Sequence, residues 1–153
     1  KIDIGNFTLD MLFTYSYGND IYNALRANLE SGSLFTNQTT AMLNRWFYEG
    51  QETIQPKVTY MDPMGNSRFS DRWIEDGSYL RFKTLSLAYN IPMKNSVIDG
   101  LKIWVSGNNL FTFTNYLGRD PEVSVNNEVL YQGIDAGMLP LTRSYFIGIK
   151  MNL

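Results

Sequence analysis

Four stretches of this chain alternate apolar and polar side chains for longer than a globular strand needs. "FTLDMLFTYSY" puts Phe7, Leu9, Met11, Phe13, Tyr15 and Tyr17 on one face and Thr8, Asp10, Thr14 and Ser16 on the other, with Leu12 the one apolar exception. A period of two held this long marks a β-strand with one greasy face. "SYLRFKTLSLAYNI" repeats the pattern with Leu80 and Phe82, then Leu85, Leu87, Tyr89 and Ile91; the slip near Lys83-Thr84 predicts a β-bulge. Residues 101–114 gather Leu101, Ile103, Val105, Phe111 and Phe113, interrupted by Trp104 and Asn109. The end of the chain alternates Tyr145, Ile147, Ile149, Met151 and Leu153. The expected fold is therefore all-β, an antiparallel meander with strands at about 7–17, 78–91, 101–114 and 143–153.

What the greasy face touches, lipid or a second protein layer, turns on three features. Typical globular strands hold roughly 5–6 residues. A strand of about 11 residues tilted by roughly 40° rises about 28 Å, close to a hydrocarbon core of about 30 Å. The connections are also lopsided: Gly5-Asn6 and residues 92–100 are short at one end, whereas 18–77 and 115–142 are long at the other. Outer-membrane barrels pair short turns with long exterior loops. Finally, Asp10, Arg81, Lys83, Lys102 and Lys150 all fall on the polar faces, and the apolar faces carry no charge. Lipid is the preferred solvent on these grounds. Because an open sheet edge is costly in lipid, so few strands imply one arc of a larger closed barrel.

Composition removes several functions. With neither Cys nor His, the chain has no disulfide, no thiolate or imidazole catalyst and none of the usual zinc ligand sets. Lys plus Arg number 13 against 15 Asp plus Glu, so nucleic acid is not an expected partner. The 10 Tyr, 9 Phe and 3 Trp suit strands and interfaces. No apolar run is long enough for a membrane helix. The opening "KIDIGNFTLD" carries neither an initiator Met nor a signal peptide, and reads as cut from a longer parent.

The long excursions are mixed. "NDIYNALRANLESG" spaces Ile21, Leu25 and Leu29 as a helix would, with Gly32 as its stop. "TTAMLNRWFYEG" predicts a short helix capped by Thr39 or Thr40, and "QPKVTYMDPMGNSRFSD" reads as loop. Glu75-Asp76 and Asp120 with Glu122 offer neighbouring carboxylates, as glycoside hydrolysis needs. Turn chemistry explains them better. Asp62, Asn66 and Asp71 offer oxygen ligands for a loop calcium ion, without the spacing of an EF-hand. No other metal or cofactor is expected.

Several motifs, in order, resemble the C-terminal region of SusC/RagA-type TonB-dependent transporters of the Bacteroidetes outer membrane. The first is Ser70, Arg72, Trp73, Gly77, Ser78, Tyr79, Leu80 and Arg81, followed by Tyr89 and Pro92. "VSGNNLFTFTNYLGRDPEVS" is similar through Gly107, Asn109, Leu110, Phe111, Thr112, Tyr116, Asp120, Pro121 and Glu122. "GIDAGMLPLTRSYFIGIKMNL" fits a closing strand through Gly133, Asp135, Gly137, Pro140, Arg143 and Gly148. Gly18, Asn19, Tyr22 and Asn23 also match. The last residue departs from the pattern: Leu153 stands where such barrels prefer an aromatic.

The resemblance implies a 22-stranded barrel with an internal plug. It implies import of oligosaccharides or peptides, energised through TonB, under a SusD-like lid lipoprotein. The plug, the TonB-contacting segment and most of the barrel are expected outside this chain. Asp10, Arg81, Lys83, Lys102 and Lys150 would face the lumen. Trp46, Phe47, Tyr48 and Trp73 would stack on ligand or touch the lid, or else pack the loop's own core. Tyr145, Ile147, Ile149, Met151 and Leu153 would serve as the barrel-assembly tail. The rival readings are a soluble, secreted β-sandwich that binds glycans and a β-rich glycosidase; no catalytic residue is assigned.

Overall fold

The computed structural model describes residues 1–93, 100–125 and 129–152. In chain order these form β1 (Ile2–Ile4), β2 (Phe7–Ser16), β3 (Asp20–Asn23), α1 (Ala24–Leu29), β4 (Ile74–Asp76), β5 (Tyr79–Pro92), β6 (Gly100–Thr114), β7 (Ile134–Asp135) and β8 (Ser144–Asn152). They divide into two compact units: residues 1–17, 78–115 and 140–153, and residues 18–77 and 116–139. Leu153 lies outside the described residues.

The first unit is a five-stranded sheet in the order β1-β2-β5-β6-β8, antiparallel at every step. Register puts the apolar positions side by side. Met11 faces Leu85, Leu9 faces Leu87, Leu87 faces Val105 and Val105 faces Ile147. Because paired residues project to the same side, one face of the sheet becomes continuous and apolar. The other face carries rows such as Asp10–Ser86–Ser106 and Asn90–Lys102–Lys150, joined by Leu12 and Phe146 as apolar members.

The predicted slip is a bulge in both ladders. Pairing shifts between Leu12 and Phe13 on one side of β5 and between Phe82 and Thr84 on the other, so Lys83 sits at the irregularity. Opposite it on β6, Asn109 adopts the left-handed conformation (φ 53°), and its Nδ2 donates to the Thr142 carbonyl at 3.1 Å. Aligned bulges keep the apolar set on one face through the slip. Trp104 breaks the alternation for a packing reason: its ring lies over Gly148, where an added Cβ would meet the indole at 2.4 Å. Its other cross-strand neighbour, Ala88, is small and buried.

The second unit has its own core. β3 pairs antiparallel with β4 and parallel with β7. Ile21, Ala27, Met42 and Trp73 are buried there. The helix expected to include Ile21 is shorter than its spacing suggested. Ile21 belongs to β3, opposite Glu75. Asn23 then opens α1, its Oδ1 accepting the Arg26 N–H at 2.8 Å, and the helix ends at Leu29, before Gly32. Asn is a strong N-cap, and β-branched Ile21 fits a pleated surface, so local chemistry overrides the helical period. The segment at Thr40–Asn44 is a 3-10 turn after Thr39, whose hydroxyl makes no cap bond and instead donates to Glu30 Oε1 at 3.1 Å.

Candidate functional site

The apolar face of the sheet is uncovered. Ile2 and Ile4 on β1, Phe7, Met11, Phe13 and Tyr15 on β2, and Leu80, Leu87 and Tyr89 on β5 are all exposed. So are Val105, Phe111 and Phe113 on β6 and Tyr145, Ile147, Ile149 and Met151 on β8. Individual values run from 37 % at Tyr89 to 78 % at Ile147. Soluble monomers rarely expose an apolar patch above roughly 300–600 Å². A β-sandwich would cover this face with a second layer, and among the described residues these side chains meet none.

The face is also graded along the strands. Its middle rows are aliphatic: Met11 and Leu85, Leu87 and Val105, then Ile147. Toward the long-loop end stand Phe13 and Phe82, stacked at 4.6 Å, with Phe111 beside Phe82 in register and Tyr15, Phe113 and Tyr145 nearby. Toward the short-turn end, Phe7 and Tyr89 meet at 4.5 Å. An aliphatic band between aromatic girdles is the outer surface of a membrane barrel, since aromatic rings favour the two interfaces. The clustering of Phe and Tyr near strand ends is a second signal in the sequence, beyond the period of two.

The charged residues named from the sequence separate by environment. Asp10, Arg81, Lys102 and Lys150 lie on the polar face by register, and Lys102 stands directly opposite Lys150. Arg81 is only 1 % exposed, with its guanidinium carbon 5.6 Å from the Tyr79 ring centroid. Of the tail, Tyr145, Ile147, Ile149 and Met151 share the apolar face.

In the second unit the four aromatics divide. Trp73 is fully buried: Arg72 lies 4.5 Å and Arg26 5.6 Å from its ring centroid, and its Nε1 donates to the Arg68 carbonyl at 3.3 Å. With no exposed surface, Trp73 packs the loop core, the second of the two roles its sequence position leaves open. Phe47 and Tyr48 are 56 % and 65 % exposed, and Arg45 covers one face of Phe47 at 4.4 Å. Trp46 is half-buried with Lys57 Nζ 5.8 Å from its ring. It borders an open hollow of about 330 Å³ shared with Gln55, Lys57, Asn66 and Arg72.

A buried polar network fixes the base of this unit. Arg26 pairs with Glu30 at 3.2 Å and with Glu75 at 2.8 Å. Glu30 also accepts from Gln55 Nε2 at 3.1 Å, and Gln55 in turn accepts from Arg72. Burial opposes the Arg26 charge, but the Glu75 and Glu30 carboxylates outweigh it and raise its pKa; Arg72 is lowered, by burial first, and the Arg26 cation adds to that. Tyr116 donates to Asp135 Oδ2 at 2.6 Å, while Asp135 Oδ1 accepts from the Gly137 and Met138 N–H groups.

The neighbouring carboxylates act in this scaffold. Glu75 is ion-paired and also accepts the Leu117 N–H at 3.0 Å; Asp120 turns the chain by accepting the Glu122 N–H at 3.0 Å. Asp62 accepts from the Asn66 and Ser67 N–H groups and the Ser67 hydroxyl at 2.6–2.8 Å. Those donors overcome the effect of burial and lower its pKa. Among the described residues no three Asp or Glu side chains gather as a metal site.

Long antiparallel strands, polar on one side and banded with aliphatic and aromatic side chains on the other, define a wall segment of a transmembrane β-barrel. No protein-family model matches the chain. Over 95 % of its length it is 33 % identical to TonB-dependent receptor P3 of Formosa agariphila, and 28 % identical to TonB-dependent receptor P26 of the same organism. It superposes on the RagAB peptide importer in its open-open state with a TM-score of 0.81, 28 % identity and 97 % coverage. The closed-closed state gives a TM-score of 0.79 at 29 % identity and 95 % coverage. The chain belongs to the SusC/RagA-type TonB-dependent receptors and corresponds to a C-terminal part of their barrel. It spans 15 % of each receptor and 16 % of each importer chain.

Proposed function

We propose that this chain is one wall of an outer-membrane importer that takes up oligosaccharides or peptides, driven from the inner membrane through TonB. The uncovered apolar face, without a charged residue on it along β2, β5, β6 and β8, carries this reading, because a bilayer is the environment that rewards it. The parent protein completes a barrel of 22 strands around a plug. In that setting Asp10, Arg81, Lys83, Lys102 and Lys150 face the lumen, and the excursions 18–77 and 115–142 face the exterior. Trp46, Phe47 and Tyr48 then meet ligand or a SusD-like lid lipoprotein. The hollow beside Trp46 suits a polar ligand, pairing one aromatic face with cationic and amide donors. The tail from Tyr145 to Leu153 seals the sheet and presents the assembly signal. A loop calcium ion at Asp62 would have to compete with the hydrogen bonds its oxygens already accept. The reading assigns no catalytic step.

The test uses the full-length receptor, fluorescently labelled at Val105→Cys or Ser106→Cys, in bilayers with brominated acyl chains. Quenching is expected at 105 and not at 106; the reverse would refute the wall assignment. In cells, uptake of a labelled oligosaccharide or peptide should stop when TonB is deleted. Uptake that persists would remove the energised mechanism.

A further inference from the structure

Among the described residues, the apolar face is filled by bulky side chains except at Gly107. β8 ends its pairing at Ser144 opposite Asn108, whereas β6 continues to Thr114, so the sheet edge steps inward toward the long-loop end. Just inside the step, Gly107 lies between Leu85 and Tyr145 and contributes no side chain. The bulge at Asn109 turns Leu110 back over it: a Cβ added at Gly107 would meet Leu110 Cδ2 at 2.8 Å and the Tyr145 ring at 3.3 Å. What remains is an open hollow of about 550 Å³, lined by side chains that include Leu85, Leu87, Val105, Leu110 and Ile147. Arg143, two residues before Tyr145, is exposed at this end, and its guanidinium carbon lies 5.8 Å from the Phe111 ring centroid. Among the described residues no carboxylate forms an ion pair with Arg143.

We propose that this notch seats one net-anionic lipid of the outer leaflet, with an acyl chain in the hollow and the phosphate on Arg143. The inference rests on the membrane reading above, which turns this face to the bilayer and the long-loop end to the outer leaflet. Two observations select the occupant. The hollow is continuous with the lipid-facing surface, where acyl chains are the surrounding medium. Among the described residues Arg143, two positions from the lining Tyr145 and beside Phe111, complements an anionic headgroup, since a basic side chain at the interface attracts anionic lipid. A flexible chain fills an irregular notch that would otherwise leave its lining without contacts on one side.

The experiment places the full-length receptor in nanodiscs of phosphatidylcholine with a minority of phosphatidylglycerol, and brominates the chains of one lipid at a time. A fluorophore on Phe113→Cys reports on the notch, and one on Ile149→Cys reports on the far end of the same face. At position 113, phosphatidylglycerol should quench about fivefold more per mole than phosphatidylcholine, while at 149 the two should be equal. Arg143→Gln and Val105→Phe, which fills the hollow from an exposed position, should each remove the preference at 113. Arg143→Lys should keep most of it. A preference that survives either Arg143→Gln or Val105→Phe overturns the site, as does equal quenching in the unmodified protein. Absence of quenching by either lipid at both positions would instead overturn the membrane reading itself.

Discussion

The two units of this chain obey opposite rules with the same amino acids. In the sheet, most of the large apolar side chains are exposed, while Arg81, Thr8 and Ala88 are buried. In the loop unit, Trp73, Ile21 and Met42 are buried, and the polar groups that join them there, Asn23, Glu30 and Gln55, are all hydrogen-bonded. The loop unit is built for water, which rewards an apolar core and demands partners for buried polar groups. The sheet is built for two solvents at once, one per face. Burial alone therefore does not say which residues stabilise the protein; the medium beyond each surface does.

The largest effect that separates the units is expected from Trp73→Ala. It empties the centre of the loop core and removes the ring that two guanidinium groups approach, and should cost that unit about 3–5 kcal/mol. Limited proteolysis of the receptor should then cut within 18–77, while the barrel keeps its heat-modifiable mobility on gels. Loss of barrel assembly would show that the two units are not independent in the way their cores suggest. Next is Leu87→Arg, near the middle of the aliphatic band, which should cost about 2–4 kcal/mol if that face meets the bilayer midplane. Ser86→Arg, one residue away on the polar face and opposite Asp10, should stay within about 0.5 kcal/mol. Equal effects in reversible unfolding from lipid would erase the distinction between the faces.

The third contrast lies within the polar face. Gly148→Val puts a side chain where the Trp104 ring already rests, and overpacking of this kind costs about 1–3 kcal/mol. Trp104→Ala should recover most of that loss in the double variant. Purely additive costs would mean that the ring and the glycine are not one packing unit.

How much of this was legible beforehand follows the same division. Alternation exposed the faces of the sheet because its period, two, survives even at the bulge: Phe82 and Leu85 stay on one side although the count between them is odd. Trp104 misled, because its place is set by a missing side chain on the next strand, forty-four positions away in sequence (148 minus 104). In the loop unit, local spacing failed at Ile21, where pairing with β4 decided the outcome. It left Trp73 open between contact with ligand or lid and packing of the loop's own core. Its full burial, and the approach of Arg26 from a segment far away in sequence, decide for packing. Binary pattern reports on the nearest solvent; it is silent on partners brought together by topology.

The smallest effect concerns Tyr116 and is the most specific to the loop unit. Its hydroxyl donates to Asp135 in a buried setting, and burial first, then the Asp135 carboxylate, holds the phenol protonated well above its ordinary range. An unfolded tyrosine releases its proton near pH 10. Above that pH the unfolded chain binds fewer protons than the folded one, so this contribution is complete below about pH 10 and declines as pH rises further. Tyr116→Phe should cost about 1–3 kcal/mol near neutral pH by leaving Asp135 Oδ2 without its donor. It should also flatten the alkaline decline of loop-unit stability, followed by protease protection at rising pH, and leave barrel mobility on gels unchanged. An identical alkaline profile in the variant would show that Tyr116 is not the group through which the loop unit responds to base. A parallel change in barrel mobility would tie the loop unit's hydrogen bonds to the sheet, and the two rules set apart above would have to be joined.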